Sequence, residues 1–213
     1  MTMIIESAQQ YVKQRLLSEL EPEQGYYRYT HTLRVAQIGR EIAQSEGLDA
    51  EMVVLSCLLH DIGYVECKSQ QDFEDHGRLS AQIAEAFLLG KGYDPVKTES
   101  ICYGIRVHTQ EEEARVRKAN ALEETVSDAD NIDRFDSYRL YKMLQADALD
   151  RHSCREIGEL AGKREERVRF LRSLPLATAT ARKLWNEKLD LWETFYGQLK
   201  VQMETTLLWD PEI

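Results

Sequence analysis

Apolar side chains recur along the chain at spacings of three and four, the period of a helix face, and no stretch alternates apolar and polar residues as a strand does. The pattern predicts helices over 2–20, 29–46, 50–62, 75–89, 95–107, 119–150, 153–172 and 177–208. Glu21-Pro22-Glu23-Gln24-Gly25 stops the first, Gly47 the second, Gly63 the third and Gly90-Lys91-Gly92 the fourth. Asp49 is placed to cap the helix that follows it, and Asp94-Pro95 reads as a cap with proline at the first helical position. Residues 64–74 read as a loop and 109–117 as a charged connection or exposed helix. The expected class is all-α. Residues 1–150 form a compact multi-helix domain, and 151–213 form a C-terminal helical hairpin around Pro175, packed on it. The hairpin's apolar positions are Leu184, Leu191, Phe195 and Leu199, and a homodimer formed through it is the alternative.

Placing each histidine on its helix changes the picture. His31 leads Val35, Ile38 and Ile42 on one apolar face. His76 leads Leu79, Ile83, Ala84 and Phe87, and His108 closes a face with Ile101 and Ile105. His60 ends VVLSCLLH, which is apolar almost all round and reads as a central buried helix, and Asp61 follows directly. Asp130 lies four-residue steps beyond Leu122 and Val126. His152 sits on a mixed face instead. Any one such histidine alone is more often a hydrogen-bonded core residue. Several inward His and Asp together must pair with one another or hold a cation, because an unpartnered buried charge is costly. Imidazole plus carboxylate suits a divalent ion such as Mn, Fe, Co, Ni, Zn or Mg. His60 and Asp61 are adjacent, so both reach one ion only at a helix end, which Gly63 supplies.

Charge and cysteine usage narrow the partners. The 213 residues carry 27 Lys+Arg and 37 Asp+Glu, giving 27 − 37 = −10. This balance argues against a nucleic acid polymer as partner, since that binding neutralises phosphates with Lys and Arg. It leaves room for a local basic pocket that takes one small phosphorylated substrate. No apolar run approaches the ~18 residues of a membrane span. The start, MTMIIESAQQ, has neither a basic nor a long apolar segment, so no signal peptide is expected. The four cysteines, at 57, 67, 102 and 154, form no CxxC pair, which fits a reducing cytoplasm.

HTLRVAQIGREIAQSEGLDAEMVVLSCLLHDIGY, followed by ETVSDADNIDRF, resembles the HD-domain superfamily of metal-dependent phosphohydrolases over roughly residues 26–140. The resemblance implies an HD-domain helical bundle in 1–150 with its core at 26–140. It also implies metal ligation by His31, His60, Asp61 and Asp130, with Asp128 the weaker candidate in DAD. His76, in DHGRLSAQIA, and His108, in IRVHT, match extra histidines that hold a second metal or contact the substrate phosphate in some relatives. Small uncharacterised bacterial HD hydrolases are the nearest in pattern. Tyr64 stands where some nucleotidase relatives carry a water-orienting Glu, and Thr109 follows His108 where the cyclic-dinucleotide branch carries a second His. The chain is also too short for a full alarmone synthetase/hydrolase.

The implied reaction is hydrolysis of a phosphate ester or anhydride in a nucleotide or other small phosphorylated metabolite, with one or two divalent ions activating water. Asp61, His76 and His108 are the candidates for moving protons. Arg28, Arg34, Lys68, Arg78 and Arg106 lie near the proposed ligands in sequence, and Arg34 and Arg78 are the choice for the substrate phosphate, each within a turn of one. Glu111-Glu112-Glu113 reads as a solvated acidic face that repels an anionic substrate. Two other readings compete. One is a non-catalytic HD module that binds a nucleotide or metal and regulates a partner. The other is an all-α interaction protein whose histidine cluster is structural.

Overall fold

The computed structural model describes residues 2–110, 115–210 and 212, and Glu111-Glu112-Glu113 lies outside them. Among the described residues every regular element is helical. Ten α-helices run α1 (Met3–Glu19), α2 (Pro22–Glu46), α3 (Ala50–Leu59), α4 (Gln70–Glu74), α5 (His76–Gly90), α6 (Pro95–Val107), α7 (Ala121–Asp133), α8 (Ser137–Asp147), α9 (Cys154–Arg172) and α10 (Ala179–Trp209). Short 3-10 turns span Ile62–Glu66 and Leu149–Arg151.

The chain divides into two compact units, one running to Asp133 and taking in Leu176–Ala181, the other holding Arg134–Pro175 and the chain from Arg182 onward. The boundary thus falls after Asp133 rather than at 150. In the first unit α3 is the axis. Every residue from Met52 to Leu59 is buried, as its all-round apolar sequence requires, and α1, α2, α6 and α7 pack around it. Asp49 accepts hydrogen bonds from the Glu51 and Met52 amides and starts this helix where the cap was expected. Leu176–Ala181 joins the unit through two hydrogen bonds: the Ala177 amide donates to Asp128 at 2.9 Å, and the Thr180 amide to Glu46 at 2.6 Å.

Three elements differ from the expectation. Helix α2 begins at Pro22 and runs through Gly25. Gly25 is a point of close approach there, because a Cβ at this position would collide with the Leu16 carbonyl oxygen of α1. The 64–74 loop contains α4, started by a capping box in which Ser69 and Asp72 bond each other's backbone amides. The stretch 119–150 is broken at 134–136, where the Asp136 side chain accepts from the Ser137 amide and starts α8.

The second unit is closed by α10. Its buried line is Trp185, Leu189, Trp192 and Tyr196, and not Leu184, Leu191, Phe195 and Leu199. The aromatic line wins because it covers more apolar area and because its polar edges find partners. Trp185 Nε1 donates to the Leu171 carbonyl at 3.1 Å and Trp192 Nε1 to the Phe135 carbonyl at 2.7 Å. Arg182 donates to the carbonyls of Arg172 and Leu174, so side chains of α10 satisfy the open C-terminal end of α9 before Pro175.

Candidate metal centre

Six side chains from five helical segments of the first unit meet at one place. His31 comes from the middle of α2 and His60 from the position that caps the end of α3. Asp61 comes from the bend that follows, His76 opens α5, His108 closes α6, and Asp130 lies near the end of α7. The bend makes the His60-Asp61 pair usable. After His60 the chain leaves α-helical geometry at Asp61 (φ −104°, ψ 4°) and tightens into the 3-10 turn. Gly63 lets that turn press on the start of α5, since a Cβ there would lie 2.6 Å from the Ser80 nitrogen and 2.7 Å from the His76 carbonyl oxygen. The Gly63 amide in turn donates to Ser80 Oγ at 2.8 Å. This contact sets Asp61 beside His76, with Asp61 Oδ1 3.2 Å from His76 Nε2.

The imidazoles are oriented from behind. The Nδ1 atoms of His60, His76 and His108 lie 2.7, 2.8 and 2.5 Å from the carbonyl oxygens of Cys57, Phe73 and Ile105, each three residues earlier. A carbonyl only accepts, so Nδ1 carries the proton and Nε2 turns toward the centre. His31 is held differently: its Nδ1 lies 2.7 Å from Asp133 Oδ2, and its Nε2 lies 3.1 Å from Asp130 Oδ1. Two groups of donor atoms, each within 4.8 Å of one another, could hold an ion: His31 with His60 and Asp130, and His60 with Asp61 and His108. They share His60. The Nε2 atoms of His60 and His108 are buried without a hydrogen-bond partner. Buried lone pairs with no hydrogen to accept, set beside two carboxylates, are the donor set a divalent metal takes, so the residues fit one.

The electrostatics agree with that assignment. Burial depresses the His60 pKa, and burial with the neighbouring His60 brings His108 down to about 4, so both stay neutral. Burial also opposes a charge on His31, but its hydrogen bonds to Asp130 and Asp133 and the nearby Asp61 outweigh it and raise the imidazole to about 10. Burial likewise opposes ionisation of Asp61, yet the Arg28 guanidinium at 2.9 Å, the bond to His76 and the charged His31 hold it well below the usual carboxylate range. Asp130 is lowered in the same way by the charged His31 bonded to it. His76 is raised, its bond to Asp61 outweighing burial.

The arginines are distributed differently from the expectation. Arg34 forks onto Asp133, Nε to Oδ1 at 2.7 Å and Nη2 to Oδ2 at 3.0 Å, and so braces the carboxylate behind His31. Arg78 pairs with Asp75 in its own first turn and is exposed. The guanidinium that reaches the centre is Arg28, bonded to Asp61 and lying 3.5 Å above the Tyr64 ring. Tyr64 also packs on His76, with ring centroids 4.4 Å apart. Asp128, buried, accepts from the Ala177 amide and belongs to neither donor group. His152 lies outside the cluster, 3.8 Å from Glu156 and 44% exposed. Sequence reasoning did not find Asp133, although it sits three residues after Asp130 on the same helix.

A family model described as HD domain matches residues 28–135. A stretch of 37 residues is 54% identical to the deoxyguanosinetriphosphate triphosphohydrolase-like protein of Bifidobacterium longum (strain NCC 2705), covering 17% of this chain and 8% of that relative. The chain therefore spans a small part of the curated relative it matches. A crystal structure described as a predicted HD superfamily hydrolase, from an uncultured Thermotogales bacterium, is similar with a TM-score of 0.65 and 18% identity, over 92% of this chain and 91% of that one. That likeness shows the fold.

Proposed function

The chain belongs to the HD-domain family, and from that premise we propose that it is a metal-dependent phosphohydrolase cleaving a phosphate ester or anhydride in a nucleotide or other small phosphorylated metabolite. The observation that carries this reading is the pair of orphaned, buried Nε2 atoms of His60 and His108 facing ionised Asp61 and Asp130. His31, His60, Asp61 and Asp130 would hold the ion, and His108 is placed to help hold a second. When bound, a divalent cation lowers the pKa of its water and polarises a phosphoryl oxygen.

The chain's own residues supply the rest. His76 is half-buried, and its contact with Asp61 favours the charged imidazolium, which carries a proton on Nε2 as well as on Nδ1. It is the group placed to give that proton to the leaving oxygen, a contribution of about 10²–10⁴-fold in systems of this kind. Arg28 is the cation set to neutralise a substrate phosphate, its guanidinium held flat by Tyr64. Tyr64 thus fills the position of the absent Glu with a positioning role. The name of the Bifidobacterium longum relative points the first substrate panel toward deoxynucleoside triphosphates.

The test is metal content of the purified chain, followed by phosphate release from nucleotides and phosphorylated metabolites with added Mn²⁺, Co²⁺, Ni²⁺ or Mg²⁺. The Asp61→Ala protein is run in parallel. Near-stoichiometric metal and turnover that disappears in Asp61→Ala, with the helical circular dichroism intact, is the expected result. Failure to load any ion, or unfolding of Asp61→Ala, would make the cluster structural.

A further inference from the structure

The second unit holds a feature that the phosphohydrolase reading does not use. A cavity of about 120 Å³ is lined by Arg134, Phe135, Arg139, Met143, Arg164 and Arg167, with Val168 and Trp192 completing its wall. Four arginines line it in a chain whose net charge is −10, and no carboxylate is among the lining residues. Arg164, Arg167 and Val168 share one face of α9 at spacings of three and four, and Arg139 and Met143 share one face of α8. The hydrogen bond from Trp192 Nε1 to the Phe135 carbonyl fixes the aromatic wall. Arg164 bonds Asp147 through Nη2 at 2.9 Å, while its Nε is buried without a partner. Arg139 and Arg167 form no ion pair among the described residues, and Arg167 lies 5.3 Å from the Phe170 ring centre.

Arg139 and Arg167 bring two like charges to one cavity, and the arrangement is favourable once an anion sits between them, because a phosphoryl group takes several guanidinium forks at once. The Phe135, Met143, Val168 and Trp192 side chains offer no partner for an anion alone but complement a flat apolar body. We propose that this cavity is a binding site for a small aromatic organic phosphate, built from residues other than those of the metal centre.

The probe is phenylphosphonate, whose P–C bond a phosphohydrolase does not cleave, titrated calorimetrically into the full chain with inorganic phosphate as comparator. The expected result is saturable binding that Asp61→Asn leaves unchanged and that the Arg139→Ala/Arg167→Ala protein weakens at least about tenfold, as loss of charge-assisted hydrogen bonds requires. Inorganic phosphate alone should bind at least about tenfold more weakly. Arg167 is exposed, so Arg167→Glu serves as a second variant if the double one misfolds, with the same expected loss. Absence of binding at millimolar probe, or binding indifferent to the arginine changes, would overturn the site. Binding lost in Asp61→Asn would assign the probe to the metal centre, and phosphate binding as well as phenylphosphonate would remove the aromatic requirement.

Discussion

At the scale of single residues, His31 is the point where proton and metal compete. With its pKa raised to about 10, the imidazole stays charged at neutral pH, bracketed by Asp130 on Nε2 and Asp133 on Nδ1. In the metal-free protein this proton stands where the cation's charge belongs. An ion that takes Nε2 must displace it, so binding releases one proton from His31. The sign follows: below about pH 10 the proton opposes the metal, and affinity should rise about tenfold per pH unit between pH 7 and 9. Calorimetry of Mn²⁺ binding in buffers of different ionisation enthalpy counts that proton directly. An affinity flat across this range would show that His31 does not ligate through Nε2. Asp133→Asn tests the support behind the ring. It keeps the volume and a hydrogen bond to Nδ1 while removing the charge that Arg34 braces. Metal affinity should drop about 10–100-fold, the usual loss when a partner behind a ligand is removed, with an intact helical spectrum.

At the scale of elements, the site depends on how closely the 62–66 turn approaches α5. Gly63→Ala would set a Cβ 2.6 Å from one backbone nitrogen and 2.7 Å from a carbonyl oxygen of α5, and neither atom can swing aside. The turn must then lift, carrying Asp61 away from His76. We expect destabilisation of about 1–3 kcal/mol, the range for an overpacked contact, together with a loss of turnover larger than the stability change explains. Thermal unfolding and kinetics on one preparation separate the two, and wild-type turnover in Gly63→Ala would show that the approach is slack. The same element shows what the sequence could reveal. Caps at Asp49 and Asp94 were legible because a cap is a local bond between neighbours. The inward placement of His31, His60, His76, His108 and Asp130 was legible because each sits on an apolar helical face. The Asp136 break went unseen inside a long helical pattern, since a single cap adds little against the composition around it. Asp133 and the reach of Arg28 were hidden for a different reason: charged residues near helix ends read as solvated until tertiary packing brings them to a partner. The buried face of α10 was misread because apolar spacing alone does not rank Trp185 and Trp192 above leucine.

At the scale of the whole molecule, every donor atom of the metal centre lies in the unit that ends at Asp133, while α8 and α9 lie wholly in the other. A metal ion held by these ligands would bind only the folded arrangement of α2, α3, α5, α6 and α7, because no unfolded chain brings those five segments together. Its stabilisation follows from mass action, about 2.7 kcal/mol at free metal one hundred times the dissociation constant. That free energy acts first on the unit that holds the ligands. Hydrogen exchange with and without Mn²⁺ should therefore show slowed opening in α2, α3 and α7, with α9 little changed, and chelation should reverse it. The centre of α3 is the sensitive reporter: its residues from Met52 to Leu59 are all buried and open only when the unit opens. If α9 gains protection equal to that of α3, the two units unfold as one cooperative body. If only the turn at Asp61 responds, the ion orders its own ligands and leaves the stability of the unit to the apolar packing around α3.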